Sequence, residues 1–140
     1  MAFVVIIVGI ILILLVNTFM KAKNIDKTGV ESMGDNGDIF ANKEAIVSVA
    51  QAKEIIAADK DLLILDTRSK GEYNARHIDG AIIITYNTLE RNLDKLDGYE
   101  DKPILVYCAT GSRSAAAVNI LIENGFNKIY HMNRGFSKWK

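Results

Sequence analysis

Apolar residues in this chain gather into short continuous runs separated by mixed segments. Leu62-Leu63-Ile64-Leu65 and Ile104-Leu105-Val106-Tyr107 are two such runs, each of strand length. A strand covered on both faces has no polar side, so these runs predict buried parallel strands. Ala81–Ile84 reads as a third, Ile46-Val47 as a short first strand and 128–131 as a last one. Between them the apolar spacing widens. Val49, Ala52, Ile55 and Ile56 mark one face of a helix, with Ser48 as its cap and Gln51 completing a capping box. Asn87 with Glu90 predicts a helix that buries Leu89, Leu93 and Leu96 and stops at Asp97-Gly98. Ser114–Ile122 predicts another, stopped by Gly125, and Pro103 opens the strand before it. Strands and helices alternate, which defines an α/β domain with a central parallel sheet over residues 44–140.

The first 43 residues break this pattern. Residues 2–20 carry no charge. As a helix, about 19 residues span roughly 28 Å, close to the hydrocarbon core of a bilayer. Residues 1–20 are therefore expected to be one transmembrane helix, a single-pass anchor in membrane lipid. A cleaved signal peptide is the alternative, but no Lys or Arg precedes the run and no A-x-A-like site follows Val16. Lys21, Lys23 and Lys27 lie just behind the span and favour the cytoplasmic side for the domain. Residues 21–43, rich in Asn, Asp, Lys and Gly, read as a flexible linker with a reach of roughly 25 Å.

The chemistry concentrates where the second strand run ends. Cys108-Ala109-Thr110-Gly111-Ser112-Arg113 joins a strand to a helix N-terminus, where free N–H groups and the helix dipole favour an anion. A thiolate is such an anion, and its pKa of about 8.5 falls to roughly 3.5–7.5 in such surroundings. The plain alternative is a small buried hydrophobe ending a core strand. Elsewhere the composition mostly excludes. One cysteine rules out an internal disulfide and a Cys-based metal cluster, and His77 and His131 are too few and too scattered for a metal site. With 17 basic and 17 acidic residues there is no electrostatic footprint for nucleic acid.

Four stretches in order give the chain a resemblance to the single-domain rhodanese (sulfurtransferase) family. Asp66-Thr67-Arg68 with Glu72-Tyr73 is similar to D-x-R…E-[FY]. His77-Ile78-Asp79-Gly80-Ala81 is similar to H-I-P-G-A, and Tyr107–Ser114 to Y-C-x-x-G-x-R-S. Gly135 and Trp139 close the set. Asp79, Arg76 and Arg134 depart from the pattern, at the usual Pro, a usual Gly and the first Gly of a terminal pair. The resemblance implies a three-layer rhodanese-like fold and a sulfurtransferase with no cofactor. In that reading Cys108 takes a sulfane sulfur from a small anionic donor such as thiosulfate, or from a persulfide protein. It then passes the sulfur to a thiol or cyanide acceptor.

The implied substrate-binding loop is Ala109, Thr110, Gly111, Ser112, Arg113 and Ser114, whose N–H groups cradle the persulfide anion. Gly111 supplies backbone angles a side chain forbids, so Gly111→Val is expected to cost transfer with little change in melting temperature. Arg113 is expected to grip an anionic donor with its fork of donors. Thr110 and Ser112 either hydrogen-bond the ligand or only satisfy the loop. Asp66 and Arg68 are expected to pin the loop architecture, with Glu72 as Arg68's partner. His77 is expected to brace a turn, Tyr107 and Trp139 to pack, and His131 to do no more than end a strand. Two rival functions stand beside this. A phosphatase of this general build has five residues between Cys and Arg, whereas four separate Cys108 from Arg113. A membrane-tethered binding or regulatory module without turnover would be marked by a lost cysteine or glycine, and both are present.

Overall fold

The computed structural model describes Phe40 and residues 42–140. The anchor expected over residues 1–20, and the linker through residue 39, lie outside the described residues. Among the described residues no helix is long and apolar enough to cross a membrane.

Five strands form one sheet: β1 (Glu44–Val47), β2 (Leu63–Asp66), β3 (Ile82–Ile83), β4 (Ile104–Tyr107) and β5 (Ile129–Met132). Their order is β1-β5-β4-β2-β3 and every pairing is parallel. Among the described residues three α-helices accompany them: α1 (Val49–Ala58), α2 (Lys70–Ala75) and α3 (Ser112–Glu123). Successive side chains of the central strands point to opposite faces. Leu65, Ile104, Val106 and Ile129 pack with Ala117, Val118 and Leu121 of α3, while Ile64, Leu105 and Met132 pack with Ala52 of α1. Both faces are dry, which is why β2 and β4 read as unbroken apolar runs.

Ser48 caps α1 as expected. It accepts from the Gln51 N–H at 3.2 Å, and the Gln51 side chain accepts from the Ser48 N–H at 2.8 Å. The helix expected from Asn87 differs. It is a 3₁₀ helix over Leu89–Leu96 with a non-helical break at Asn92. The Asn92 side-chain amide donates to the Thr88 carbonyl at 2.8 Å. That carbonyl is the one an α-helical ladder would have used, so the side chain competes with the α form. Leu89 and Leu96 are buried nonetheless. The strand expected over Ala81–Ile84 pairs only at Ile82 and Ile83, on the sheet edge.

Helix α2 was not foreseen, although its signal stands in the sequence. Ser69 and Glu72 form a second capping box, at 3.2 and 3.0 Å. Six residues with Gly71 in the first turn carry no apolar period, so only the cap marks them.

Candidate functional site

A parallel sheet delivers all its strand ends to one edge, where ligand crevices form. Here β2 delivers Asp66 to Arg68, β4 delivers Cys108, and β5 delivers the turn from Asn133 to Phe136. The cysteine loop climbs from β4 into α3, with Gly111 at the N-cap position and φ of 113°. A Cβ on Gly111 would overlap the Asn133 carbonyl, and one on Gly135 (φ 66°) would overlap the Ala109 carbonyl. The two segments are also tied by hydrogen bonds, from Phe136 N–H to the Cys108 carbonyl at 2.7 Å and from Ser137 N–H to the Ala109 carbonyl at 3.0 Å. The turn after β5 thus presses the loop into shape. Against expectation, Gly111→Val would strain the fold together with the chemistry, because the overlap is with backbone.

Cys108 is fully buried. Its Sγ accepts from the Gly111 N–H at 3.0 Å. Burial pushes the thiol up. The Ser114 hydroxyl and the N–H groups of Ser114, Gly111 and Thr110 outweigh it and hold the thiol below its ordinary value. Of the expected cradle, the Gly111 N–H is the group hydrogen-bonded to the sulfur. Ala109 instead gives its carbonyl to the β5 turn, and Ser112 opens α3.

The arginine pairings differ from those expected. Arg113 lays both terminal guanidinium nitrogens, Nη1 and Nη2, on Glu72, at 2.7 and 2.8 Å. The fork expected to grip an anionic donor is engaged within the protein. The Arg113 fork, with the Ser69 N–H behind it, holds the Glu72 carboxyl well below the usual carboxylate range. Arg68 pairs with Asp66 rather than Glu72, at 2.7 Å, with both side chains buried. It also donates to the Arg76 carbonyl at 2.7 Å, and its guanidinium lies 4.3 Å from the centre of the Phe136 ring. Tyr107 does more than pack: its hydroxyl donates to Asp66 at 2.8 Å and accepts from the Ile78 N–H at 3.1 Å. Burial pushes its phenol up. Asp66 is thus the hub of a buried knot behind the loop.

His77 stacks on Tyr73 with centroids 3.7 Å apart and bonds the Tyr73 carbonyl at 2.8 Å. Trp139 packs against the α1 face of the core. His131, to which sequence reasoning assigned nothing, is buried between Glu44 and Ser114. Nothing in its local sequence marks it, because both partners come from other elements. A cleft of about 280 Å³ beside the loop is lined by Thr67, Ser69, Lys70, Thr85, Tyr86 and Arg113 among others. Cys108 is not part of this lining; the cleft meets the loop at Arg113. Among the described residues no three His, Cys, Asp or Glu side chains come together to hold a metal ion.

A parallel α/β sheet with one cysteine cradled by backbone amides at a helix N-terminus defines the class of protein. The particular family follows from comparison. The rhodanese-like domain family matches residues 48–140, and the chain belongs to it. The chain is 33% identical over 94 residues to thiosulfate sulfurtransferase GlpE of Coxiella burnetii, covering 67% of this chain and 85% of that protein. It is 34% identical over 95 residues to tRNA uridine(34) hydroxylase of Escherichia coli, covering 64% of this chain but only 27% of that protein. The crystal structure of a rhodanese-like domain protein from Staphylococcus aureus superposes with a TM-score of 0.62 at 25% identity. That match covers 68% of this chain and 90% of the other.

Proposed function

We propose that this protein is a sulfurtransferase in which Cys108 carries the sulfur as a persulfide. The observation that carries the reading is the cradle: a fully buried sulfur 3.0 Å from the Gly111 N–H, at the N-terminus of α3. Such donors stabilise an anionic sulfur without a neighbouring base. The Cys108 thiolate attacks the outer sulfur of the donor. An S–S bond to Sγ forms, and the donor's own bond to that sulfur breaks with its electron pair, leaving sulfite from thiosulfate or a thiolate from a persulfide. An acceptor thiolate or cyanide then attacks the terminal sulfur, and Cys108 leaves as thiolate. The cycle needs no outside oxidant or reductant, and ping-pong kinetics follow.

A donor panel tests this on the full chain. Thiosulfate or a small persulfide is expected to leave Cys108 one sulfur atom heavier by mass spectrometry, and cyanide to remove it. No persulfide from any donor, with the domain folded, would favour the binding-module reading instead.

We further propose that residues 2–20 tether the domain to the inner face of a cell membrane. Their uncharged run and the lysines behind it support this. The full chain is expected to stay in the membrane pellet through an alkaline wash, whereas a chain starting at residue 41 is expected to be released. Release of both would remove the tether from the proposal.

A further inference from the structure

The cleft of about 280 Å³ beside the cysteine loop has Thr67 in its lining. The N–H and the hydroxyl of Thr67 both donate to the Tyr107 carbonyl, at 3.0 and 2.9 Å. The parallel register that sets Asp66 beside Tyr107 carries Thr67 to Cys108, one strand spacing or about 4.8 Å away. Arg113, on the loop itself, also lines the cleft. A small molecule in the cleft thus lies between the strand neighbour of Cys108 and the loop that Cys108 begins.

The lining holds no Asp or Glu and three cations, Arg68, Lys70 and Arg113. Their pairing separates them. Arg68 is neutralised by Asp66 and Arg113 by Glu72, each at 2.7 Å. Lys70 is exposed and, among the described residues, makes no ion pair. It also lines a neighbouring cleft of about 220 Å³ that again holds no Asp or Glu. Lys95 adds a cation there but does not line the cleft that reaches Arg113. Beside Lys70, Ser69 Oγ accepts from the Glu72 N–H at 3.2 Å and keeps its own hydrogen for a ligand. We infer that Lys70, rather than Arg113, is the specificity-determining residue that draws small sulfur-bearing anions into this cleft. Its attraction grows with the charge of the ligand, so it favours a doubly charged donor over a singly charged one. The inference rests on Cys108 being the group that takes the sulfur.

Two alkylating reagents read the approach to the sulfur without any donor. Iodoacetate carries one negative charge and iodoacetamide none, and the same thiolate attacks both. At one pH the ratio of their rates with Cys108 therefore reports charge along the path and not ionisation of the thiol. On the full chain, Lys70→Gln is expected to lower the iodoacetate-to-iodoacetamide ratio about two- to fivefold, as loss of one exposed charge contact does. Lys70→Glu is expected to lower it further, and Glu72→Gln, which frees the Arg113 fork, to raise it. Lys102→Gln, at the opposite edge of the sheet just before β4, is expected to leave it unchanged. At about 1 M salt, where the screening length is about 3 Å, the wild-type and Lys70→Gln ratios are expected to converge. Donors extend the same comparison. Lys70→Gln is expected to slow persulfide formation from thiosulfate, a dianion that leaves as sulfite, more than from methanethiosulfonate, a monoanion that leaves as methanesulfinate. A ratio unmoved in both Lys70 variants would overturn the inference, as would equal slowing of the two donors. A native Cys108 that neither reagent labels would overturn it too, because the cleft then does not lead to the sulfur. The labelling ratio is measured whether or not any donor loads Cys108, so this inference and the sulfur-transfer reading fail separately.

Discussion

Cys108→Ser is expected to reduce transfer from thiosulfate to cyanide by roughly 10³-fold or more, as loss of a covalent nucleophile does. Serine fits the same space and still accepts from the Gly111 N–H, so the fold is expected to hold, with stability changing by no more than about 1 kcal/mol. What is lost is specific to sulfur. An alcohol at this place is not ionised near neutral pH, and oxygen does not hold a transferable sulfane sulfur. The wild-type thiol supplies the complementary measurement. Held below its ordinary value, it is expected to label with iodoacetamide at a midpoint under the free value of about 8.5. Activity retained in Cys108→Ser, or a native thiol inert up to pH 9, would remove Cys108 from the mechanism.

Asp66→Ala is expected to be the most damaging substitution for stability. Asp66 is fully buried and accepts from the Arg68 side chain, the Arg68 N–H and the Tyr107 hydroxyl. Removing the carboxylate leaves a guanidinium that is only 5% exposed without its counter-charge. Breaking one side of a buried pair costs about 3–5 kcal/mol. For a domain of about 100 residues that is a fall in melting temperature of roughly 12–40 °C. The position also matters for the site, because the knot joins the ends of β2 and β4 behind the cysteine loop. Asp66→Leu combined with Arg68→Met is expected to recover much of the stability, since no unpaired charge remains buried. Thermal unfolding of the three proteins checks this. A melting temperature for Asp66→Ala within a few degrees of wild type would show that water or another group meets Arg68.

The two arginines show where local reading ends. Asp66, Arg68, Glu72 and Arg113 permit two pairings. Arg68 and Glu72 are close in sequence, which makes their pairing the natural expectation. The observed partner of Glu72 is Arg113, 41 residues away. Two facts decide it: β4 lies beside β2, and the Ser69 cap starts α2 so that Glu72 faces the first turn of α3. The bond also changes the chemistry expected of the loop. Under the proposed sulfur transfer, an anionic donor reaching Arg113 would meet a fork already paired with a carboxylate.

What the sequence determined alone is what depends on local pattern. A strand dry on both faces has to be apolar throughout, so β2 and β4 were legible as parallel strands. Serine at a helix start with Gln three residues on marks α1. A cysteine between such a strand and a helix has to sit near free N–H groups, so the placement of Cys108 at the head of α3 was legible too. The tertiary structure decided everything that depends on distant neighbours. It seats Gly111 and Gly135 against backbone from the opposite segment, and it turns Tyr107 from packing residue into hydrogen-bond donor. It also sets His131 between Ser114 and a Glu44 that is 87 residues away in the chain. Hydrogen bonds and ion pairs act over a few ångströms, and only the order of the strands says which distant side chains come that close.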